Sequence, residues 1–574
     1  MKKTACPLDC YDACSVLYEP NRLKGDPEHP FTRGHLCYKL NHYFDYPQLD
    51  SARYQGQEIS LDEALGILEE KIKSSEEILH YRGSGNVGKM QAVSDLFFAS
   101  IGATLTTGSL CDAAGQLGIE KGRGKNLILP LEQIQKSELV IAWGRNIGYT
   151  NHHLLPFLEG KTLVVIDPVR TNLAKNAAMH IQLSPRTDLE LACMLARFVY
   201  MQNKEDESFI EERTEDFDFY ADFIQSYRMV PTTDKIGVDL LDIATLAELM
   251  IDMKTVILVG NGVQKYAHGT EVVRAIDSLA AMLGLFGKEG CGVSFLGDTS
   301  LMLDDPFRVQ AKRVAKPEVD FGAYDLCFIQ AANPAITHPC TQKVVEGLKK
   351  SFTVVFGLYD DETAQLADLV IPAKNFLQKE DIRFSYGHEF VELMPKLEDN
   401  AKALSEYELT RELMGRFGLD GLKEEKEYIE HFTKQLRKRG EYYVLPSFEE
   451  IPYKEGFEEP FCFIDEVEDE FDRLSGEYFL ITPKAKNAIN SQFKRDPYLY
   501  VPLQSGLSDG DKVVVSSKWG EVQMEVRLLA ELRDDSVLAY SGSAINHVTP
   551  PHADNHGNNA IFQEVKVNLK KESQ

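Results

Sequence analysis

The sequence predicts a multidomain α/β protein whose C-terminal part is rich in β-strands. Strand and helix signals alternate between residues 109 and 321, as a doubly wound parallel sheet requires, and a second alternating block starts at Tyr324. From Tyr478 onward the pattern changes to short β runs separated by turn residues. At 574 residues the chain is too long for one hydrophobic core, so several domains are expected.

The predicted strands of the α/β blocks end in glycine or polar residues. Ser60 and Glu63 form a capping box that predicts the start of a helix. Further strands are predicted at 78–81, 138–143, 162–166, 256–259, 326–330 and 353–356, and further helices at 189–200, 271–283 and 341–349. Ligands of open α/β sheets bind outside the carboxyl ends of the strands, so ligand contacts are expected directly after these strands.

Two different patterns follow the second α/β block. The segment 424–439 has the charged amphipathic pattern of a solvent-facing helix. The acidic, aromatic segment 442–477 is interrupted by prolines and is interpreted as a linker or as a wrap that faces a partner. The β runs lie at 479–482, 512–516, 522–529 and 536–539, and the turns at 508–511 and 519–520 favour hairpins.

Charge and hydropathy exclude two classes of function. The chain has 89 acidic and 62 basic residues, a formal net charge of -27, which argues against binding to nucleic acid or to an anionic membrane surface. No apolar run reaches the roughly 18 residues that span a bilayer, so direct membrane insertion is not expected. No export signal or twin-arginine leader is recognisable, so a cytoplasmic location is expected.

Cysteines are concentrated at the amino terminus. Cys6, Cys10 and Cys14 are spaced so that a helical turn or a tight loop can bring three thiolates to one point, and Cys37 can complete a tetrahedral set. Disulfides are the least expected interpretation because intracellular thiols stay reduced. Zinc sites usually use two close pairs of ligands, so three close cysteines and one distant one favour an iron-sulfur cluster and leave zinc as the alternative.

A glycine-rich turn follows the first strand of the first block. Gly83, Gly85 and Gly88 match the Gly-x-Gly-x-x-Gly pattern, but the next strand lacks the acidic residue that a nicotinamide-binding unit needs. Small residues at a strand-to-helix turn still allow backbone N–H groups to approach a pyrophosphate. A plain tight turn is the alternative.

The run Cys-Pro-Leu-Asp-Cys-Tyr-Asp-Ala-Cys at 6–14, followed by Gly-His-Leu-Cys-Tyr-Lys at 34–39, resembles the amino-terminal segment of the molybdopterin oxidoreductases of the dimethyl sulfoxide reductase superfamily. The resemblance implies a 4Fe-4S cluster on Cys6, Cys10, Cys14 and Cys37. It also implies that Lys39 lies between the cluster and a pterin, where its ammonium group favours electron transfer. Taken alone, Lys39 would be read as a surface lysine.

The segment 107–115, Thr-Gly-Ser-Leu-Cys-Asp-Ala-Ala-Gly, contains the second implied site. In the superfamily this position provides the protein ligand of molybdenum or tungsten, and Cys111 stands there. A lone cysteine among small residues would otherwise be a buried thiol. Asp112 is a candidate proton donor, and its alternative role is to cap the following helix. His268 is a further candidate near the substrate, with a hydrogen bond inside its loop as the alternative.

The resemblance also implies two molybdopterin guanine dinucleotides. In this chain Pro-Arg-Thr-Asp at 185–188 replaces the Pro-Gly-Thr-Asp often found in the superfamily, so one close backbone contact is lost while the carboxylate is kept. The implied cofactor-binding residues are Gly83, Gly85, Asn86, Gly88, Gly144, Asn146, Asp167, Arg170, Thr171, Thr187, Asp188, Gly260, Gly262, Asn333, Thr363, Asp368, Asn546 and Asn558.

The domain organisation follows from the same resemblance. It implies an iron-sulfur cluster domain at 1–50, a linker at 426–475, a C-terminal β-barrel at 476–574 that caps the pterins, and two doubly wound α/β domains. One of these α/β domains combines 51–108 with 322–425, and the other spans 109–321.

The implied activity is a two-electron transfer of an oxo or sulfur group to or from a small-molecule substrate, with electrons relayed by the cluster to an iron-sulfur or flavin subunit. A formate dehydrogenase-like catalytic subunit is one alternative, although formate dehydrogenases of the superfamily have histidine after the metal ligand, whereas Asp112 follows Cys111 here. A metal-free subunit resembling the large iron-sulfur subunit of complex I is another alternative. A non-redox hydratase or transhydroxylase is the third, although Tyr11 stands where acetylene hydratase has aspartate.

Overall fold

The computed structural model describes residues 1–446, 451–455, 459–467 and 474–572. Two mainly parallel sheets, each flanked by helices, form the α/β part of the chain, and a closed β-barrel lies at the C-terminal end. Within the described residues, no helix is both long enough and apolar enough to cross a bilayer.

The larger sheet has eight strands. Six are parallel, and numbered along the chain they lie in the order 3-2-1-4-5-6 across the sheet. An antiparallel hairpin extends the far edge. In spatial order the strands are Arg313–Ala315, Thr104–Thr107, Ile78–Arg82, Leu326–Gln330, Phe352–Gly357, Leu369–Pro372, Ala52–Tyr54 and Gln57–Ile59.

The smaller sheet has five strands, all parallel, and they lie in the order 3-2-1-4-5. This is the order of a doubly wound fold, in which the direction of winding reverses between the first and the fourth strand. In spatial order the strands are Met179–Ile181, Thr162–Ile166, Leu139–Trp143, Thr255–Val259 and Gly292–Ser294.

Helices cover both sheets with their apolar faces. Ser60 and Glu63 form the predicted capping box, and Ala64, Leu65, Leu68 and Ile72 of the same helix are buried. The helices of seven or more residues are Leu61–Ser74, Ser94–Ser100, Ala113–Arg123, Asp188–Met201, Glu207–Arg213, Phe217–Ser226, Met229–Ile236, Leu240–Asp252, Gly269–Met282, Thr341–Leu348, Glu406–Phe417 and Glu425–Lys434. Shorter helices are Tyr38–Asn41, Leu131–Lys136, Ile147–Thr150, Asn172–Lys175, Pro334–Thr337 and Glu362–Leu366.

Two small antiparallel sheets support the amino-terminal cysteines. The first contains Lys2–Ala5, Ser15–Glu19 and Arg22–Gly25. The second contains, in spatial order, Asp381–Phe384, Phe390–Met394, Tyr442–Val444 and Arg437–Arg439. The predicted helix at 424–439 therefore ends early, at Lys434, because its last residues pair with Tyr442–Val444 as a hairpin.

The segment predicted as a linker is partly built into the protein core. Tyr453, Phe461, Phe463 and Ile464 are buried in the same apolar cluster as Trp143. The strand Phe461–Cys462 also pairs with Thr214–Glu215. The aromatic residues of this segment therefore serve packing, while 447–450, 456–458, 468–470 and 471–473 of the predicted linker lie outside the described residues.

The C-terminal barrel that the resemblance implied is present and has six strands. In spatial order they are Tyr478–Ile481, Ser536–Leu538, Leu499–Val501, Gly520–Leu528, Lys512–Ser517 and Lys566–Lys571. The predicted hairpin at 519–520 is present, since Ser517 pairs with Gly520 across a two-residue loop. A two-stranded ribbon of Ala488–Ile489 and Gln492–Phe493 lies outside the barrel sheet.

Candidate active site

One cavity of about 1130 Å³ lies where the carboxyl ends of the two parallel sheets meet. Each of the six parallel strands of the larger sheet has its own last residues, or the residue directly after it, in the cavity wall. The predicted cofactor-binding residues that line the cavity are Gly83, Gly85, Asn86, Gly88, Gly144, Asn146, Asp167, Arg170, Thr171, Asp188, Gly260, Gly262, Asn333 and Asn546.

Each sheet places a glycine at the point where its winding reverses. In the larger sheet, a Cβ atom on Gly83 would lie 2.3 Å from the carbonyl oxygen of Ala331. In the smaller sheet, a Cβ atom on Gly260 would lie 2.1 Å from the carbonyl oxygen of Gly144. These are contacts between backbones, so no side-chain adjustment relieves them, and both crevices need a residue without a side chain.

Cys111 lies in the cavity wall, in the loop between the strand Thr104–Thr107 and the helix Ala113–Arg123. The Ser109 hydroxyl oxygen accepts the backbone N–H groups of Cys111 and Asp112, each at 2.8 Å, which fixes the turn. The Asn261 side-chain amide donates a hydrogen bond to the Cys111 sulfur at 2.9 Å. Burial raises the pKa of the Cys111 thiol to about 11, so only a strong cation would hold it as a thiolate at neutral pH.

Asp112 occupies the N-cap position of the helix Ala113–Arg123, but its side chain caps no backbone N–H group. Its carboxylate accepts a hydrogen bond from the Ser109 hydroxyl at 2.7 Å and lines the cavity. Burial raises the pKa of Asp112 above its ordinary value. The capping interpretation of Asp112 is therefore wrong, and its carboxyl group faces the cavity.

Two lysines next to Cys111 were missed by the sequence reasoning. Lys265 and Lys484 both line the cavity, and the Lys265 ammonium donates to the carbonyl of Thr482 at 2.8 Å. Burial, and then the neighbouring charge of Lys484, lowers the pKa of Lys265 to about 8. Neither lysine lies in a motif of its own, so only the folded chain reveals that they meet.

The four amino-terminal cysteines are free thiols gathered beside the first small sheet. The N–H group of Cys6 donates to the carbonyl of Cys14 at 2.8 Å, which closes a loop that carries Cys10, and Cys37 precedes the helix Tyr38–Asn41. Burial, and then the neighbouring thiol of Cys37, raises the pKa of Cys6 to about 12. The pKa of Cys14 is raised by burial and by the other three thiols.

Lys39 is only 6% exposed, so the surface interpretation of this residue is wrong. Its ammonium group donates to the carbonyl of Lys486 at 3.3 Å. Lys39 and Cys10 both line the large cavity. The lysine therefore lies at the boundary between the cysteine loop and the cavity.

Two of the predicted contacts on the side of the smaller sheet do not line the cavity. The Thr187 hydroxyl donates to the carbonyl of Ser184 at 2.8 Å and does not cap its helix. Asn558 contributes its carbonyl, which accepts the N–H group of Ser109 at 3.2 Å and so holds the Cys111 loop. His268 is buried and also lies outside the cavity wall, so it is not placed to meet a substrate.

Two of the cofactor contacts predicted on the larger sheet, Thr363 and Asp368, also lie outside the cavity wall. Thr363 is buried, and its hydroxyl donates to the side-chain oxygen of Asn333 at 2.7 Å. Asp368 precedes the strand Leu369–Pro372 and accepts the N–H group of Thr353 at 2.8 Å, at the amino ends of the strands. A nearby acid, Asp361, does line the cavity. Its side chain caps the amino end of the helix Glu362–Leu366, and an aspartate at this N-cap position was the sequence signal that could have identified it.

The smaller sheet places two acids in the cavity wall, the buried Asp188 and the half-buried Asp167. The indole N–H of Trp143 donates to Asp188 at 2.8 Å. Burial raises the pKa values of Asp188 and Asp167 to about 7. Carboxylates at such positions can accept hydrogen bonds from the N–H groups of a nucleobase or from the hydroxyls of a ribose.

The fold and the sequence resemble known proteins over almost the whole chain. The structure matches that of acetylene hydratase from Pelobacter acetylenicus with a TM-score of 0.76 and 16% identity, over 100% of both chains. The probable oxidoreductase YyaE of Bacillus subtilis is 26% identical over 99% of both chains. The F420-dependent formate dehydrogenase subunit alpha of Methanocaldococcus jannaschii is 24% identical over 79% of this chain and 74% of its own.

Two family models match the chain. The model described as molydopterin dinucleotide binding domain covers residues 503–566, within the barrel region. The model described as molybdopterin oxidoreductase covers residues 44–416, more than half of the chain and both parallel sheets. The chain therefore belongs to the molybdopterin oxidoreductase family, within the dimethyl sulfoxide reductase superfamily.

Proposed function

We propose that this enzyme is a molybdenum- or tungsten-dependent oxidoreductase that transfers an oxo or sulfur group to or from a small-molecule substrate. The observation that carries the proposal is that both parallel sheets open onto one cavity and that Cys111 lies in its wall. Two crevices and one thiol match the needs of two dinucleotides that share one metal ion.

The cavity wall fits two molybdopterin guanine dinucleotides. Gly83 and Gly260 let the facing loops approach closely, which shapes the two crevices in which backbone N–H groups would meet a phosphate. Buried side-chain oxygens of Asn261 and Asn546 in the wall accept no hydrogen bond from any described residue, as expected for groups that a ligand satisfies. Asp167, Asp188 and Asp361 supply carboxylates for base or ribose recognition.

Cys111 would hold the metal ion, with Asn261 donating to its sulfur. When bound, the bis-pterin metal centre supplies two-electron redox chemistry at an open coordination position. The protein contributes a fixed thiol, the hydrogen bond from Asn261, and two lysines, Lys265 and Lys484, that favour negative charge near the sulfur.

Asp112 is our candidate for moving a proton to or from the substrate. Its carboxyl group faces the cavity directly beside Cys111, and Ser109 fixes its orientation. Asp112→Asn keeps the shape and removes the acid. We expect a lower turnover with an altered pH profile, and an unchanged rate with an unchanged profile would exclude this role.

The cysteine loop fits a 4Fe-4S cluster that relays single electrons. It provides four free thiols beside one small sheet, and Lys39 lines the cavity together with Cys10. An electron-transfer protein, containing an iron-sulfur or flavin group, is the partner that this arrangement requires.

Formate oxidation is the second candidate, favoured by the likeness to the formate dehydrogenase subunit of Methanocaldococcus jannaschii. Asp112 stands against it, because formate dehydrogenases of the superfamily have histidine after the metal ligand. Acetylene hydratase shares the fold at 16% identity, which carries no argument about the reaction.

The test is to purify the enzyme without oxygen and to measure molybdenum, tungsten, iron and labile sulfide. Turnover is then screened with reduced viologen and oxyanion or sulfur acceptors, and with formate in the opposite direction. We expect Cys111→Ala to lose turnover and keep its iron, and Cys462→Ser, at an exposed cysteine, to retain both. A preparation without molybdenum and tungsten, or a Cys111→Ala variant with full turnover, would contradict the proposal.

A further inference from the structure

Arg383 is an arginine that has no exposed surface and lies within the cysteine loop. It belongs to the strand Asp381–Phe384, in which all four residues are buried. Its guanidinium donates to the carbonyl of Cys10 at 2.8 Å and to the carbonyl of Leu8 at 3.1 Å. A further hydrogen bond goes to the carbonyl of Phe384. The guanidinium charge thus contacts only neutral carbonyls, and those of Leu8 and Cys10 belong to the loop that carries three of the four clustered thiols.

No carboxylate in the described part of the chain forms an ion pair with Arg383. Its register partner across the sheet is Glu392, and directly opposite residues of an antiparallel pair point to the same face. Glu392 nevertheless pairs with His29 at 3.4 Å and with Lys3 at 3.9 Å. The acid that the sheet register places opposite Arg383 is therefore directed to the Lys3 ammonium and to the imidazole of His29.

A buried cation without a counter-charge is costly, because low-dielectric surroundings replace its hydration. The loop whose carbonyls accept from the guanidinium carries the thiols of Cys6, Cys10 and Cys14 and two acids, Asp9 and Asp12, of which Asp12 pairs with His153 at 2.6 Å. Asp9 accepts a hydrogen bond from Asn490 at 2.7 Å and forms no described ion pair with Arg383. A cluster bound to these cysteines would therefore supply the negative charge that balances the guanidinium.

We propose that Arg383 is the counter-cation of the iron-sulfur cluster and raises its reduction potential. The inference rests on the proposed function only in assuming that the four thiols hold a cluster. Reduction adds one electron, supplied by the electron partner or in a titration by dithionite, and so adds one negative charge to the cluster. A fixed positive charge nearby stabilises the reduced form more than the oxidised form.

The experiment is a redox titration of the anaerobic holoenzyme, followed by electron paramagnetic resonance of the reduced cluster. Arg383→Gln can still donate a hydrogen bond to a carbonyl but carries no charge, whereas Arg383→Lys keeps the charge. We expect the midpoint potential to shift downward in Arg383→Gln and to stay near the wild-type value in Arg383→Lys. Iron and labile sulfide are measured in every variant.

The matched control is Arg123→Lys, because Arg123 is equally buried but pairs with Asp277 at 2.8 Å, away from the cysteine loop. This control should not change the potential. If Arg383→Gln assembles no cluster while Arg383→Lys does, the need for the charge is also supported. Equal potentials in wild type and Arg383→Gln, or loss of the cluster from both variants, would overturn the inference. A wild-type enzyme without iron would contradict the cluster assignment itself.

Discussion

The two parallel sheets share one strand order, but Asp95 of the larger half and Asp188 of the smaller half differ in their partners. Both follow the 3-2-1-4-5 order, and both place a glycine against a facing backbone carbonyl where the winding reverses. In the larger sheet, Asp95 pairs with Arg82 at 2.8 Å and with His80 at 3.3 Å. In the smaller sheet, no described ion pair includes Asp188. We infer that the common frame serves the phosphates, while the acid of the smaller sheet is left for a base.

The largest effect is expected from filling either crevice. Gly260→Val and Gly83→Val place carbon atoms within 2.1 and 2.3 Å of backbone oxygens, so the crevices must open or exclude the ligand. Such overpacking costs about 1–3 kcal/mol or more in folding free energy. We expect each variant to lose at least half of its guanine nucleotide, measured after acid release. Gly415→Ala is the control, since no atom lies within 4 Å of its added carbon, and full nucleotide content in both valine variants would contradict the shared frame.

A smaller effect on nucleotide binding is expected when an acid in either half of the site is replaced. Asp188→Asn removes a carboxylate whose pairing with a guanine edge is worth about 1–3 kcal/mol, so we expect roughly tenfold faster nucleotide loss on dilution. Asp361→Asn should lose less, because Asp361 also accepts the N–H groups of Thr363 and Ala364, a capping role that asparagine can fill. The rates are measured by gel filtration and nucleotide release. A larger nucleotide loss from Asp361→Asn than from Asp188→Asn would contradict the greater dependence on Asp188.

In the cofactor-free chain, Asp188 and Asp95 should change stability with pH in opposite directions. The pKa of Asp188 is about 7 when folded and 3.8 ordinarily, so the unfolded chain releases its proton first as pH rises. Stability from this group is therefore lost between about pH 4 and 7, on the order of 4 kcal/mol in all. For Asp95, burial alone would raise the pKa, but Arg82 and His80 hold it below 3.8. Its contribution is present above pH 3.8 and is lost as pH falls further.

Urea unfolding followed by tryptophan fluorescence can measure this difference. Trp143 contacts Asp188 directly, and the chain has only two tryptophans, so Trp519→Phe leaves a single reporter in the smaller sheet. We expect Asp188→Asn to flatten the decline in midpoint between pH 5 and 7. An identical decline in the parent and in Asp188→Asn would show that Asp188 is not the group responsible.

The smallest effect is expected at Asp368. Its side chain accepts a backbone N–H group at the amino ends of the strands, on the side of the sheet away from the cavity. Asp368→Asn should lower the unfolding free energy by about 1 kcal/mol and leave the cofactor content unchanged. Loss of guanine nucleotide from this variant would show that the nucleotide-binding site of the larger sheet also depends on the amino ends of its strands.

Long buried strands were predictable from sequence, and short edge strands were not. Thr162–Ile166 and Leu326–Gln330 are apolar runs and match the predicted bounds. Arg313–Ala315 and Met179–Ile181 have three residues each and are largely unburied, so they carry no readable pattern. Yet these two strands complete the 3-2-1 side of each sheet, which only the fold reveals.

Site residues were predictable where they directly follow a strand or lie in a segment that resembles the superfamily. Cys111, Gly83 and Gly260 were located in this way, and all line the cavity. Lys265 and Arg383 were missed, because the burial of a charged residue depends on distant partners. Asp-Ile-Arg-Phe at 381–384 alternates like a half-exposed strand, although all four residues are buried.

The central claim is that two crevices hold two dinucleotides around one metal ion on Cys111. It is tested most directly by measuring guanine nucleotide and metal in the same anaerobic preparation. We predict two guanine nucleotides for each molybdenum or tungsten atom, and close to no metal in Cys111→Ala. One nucleotide per metal atom, or a Cys111→Ala variant that retains the metal in full, would contradict the account.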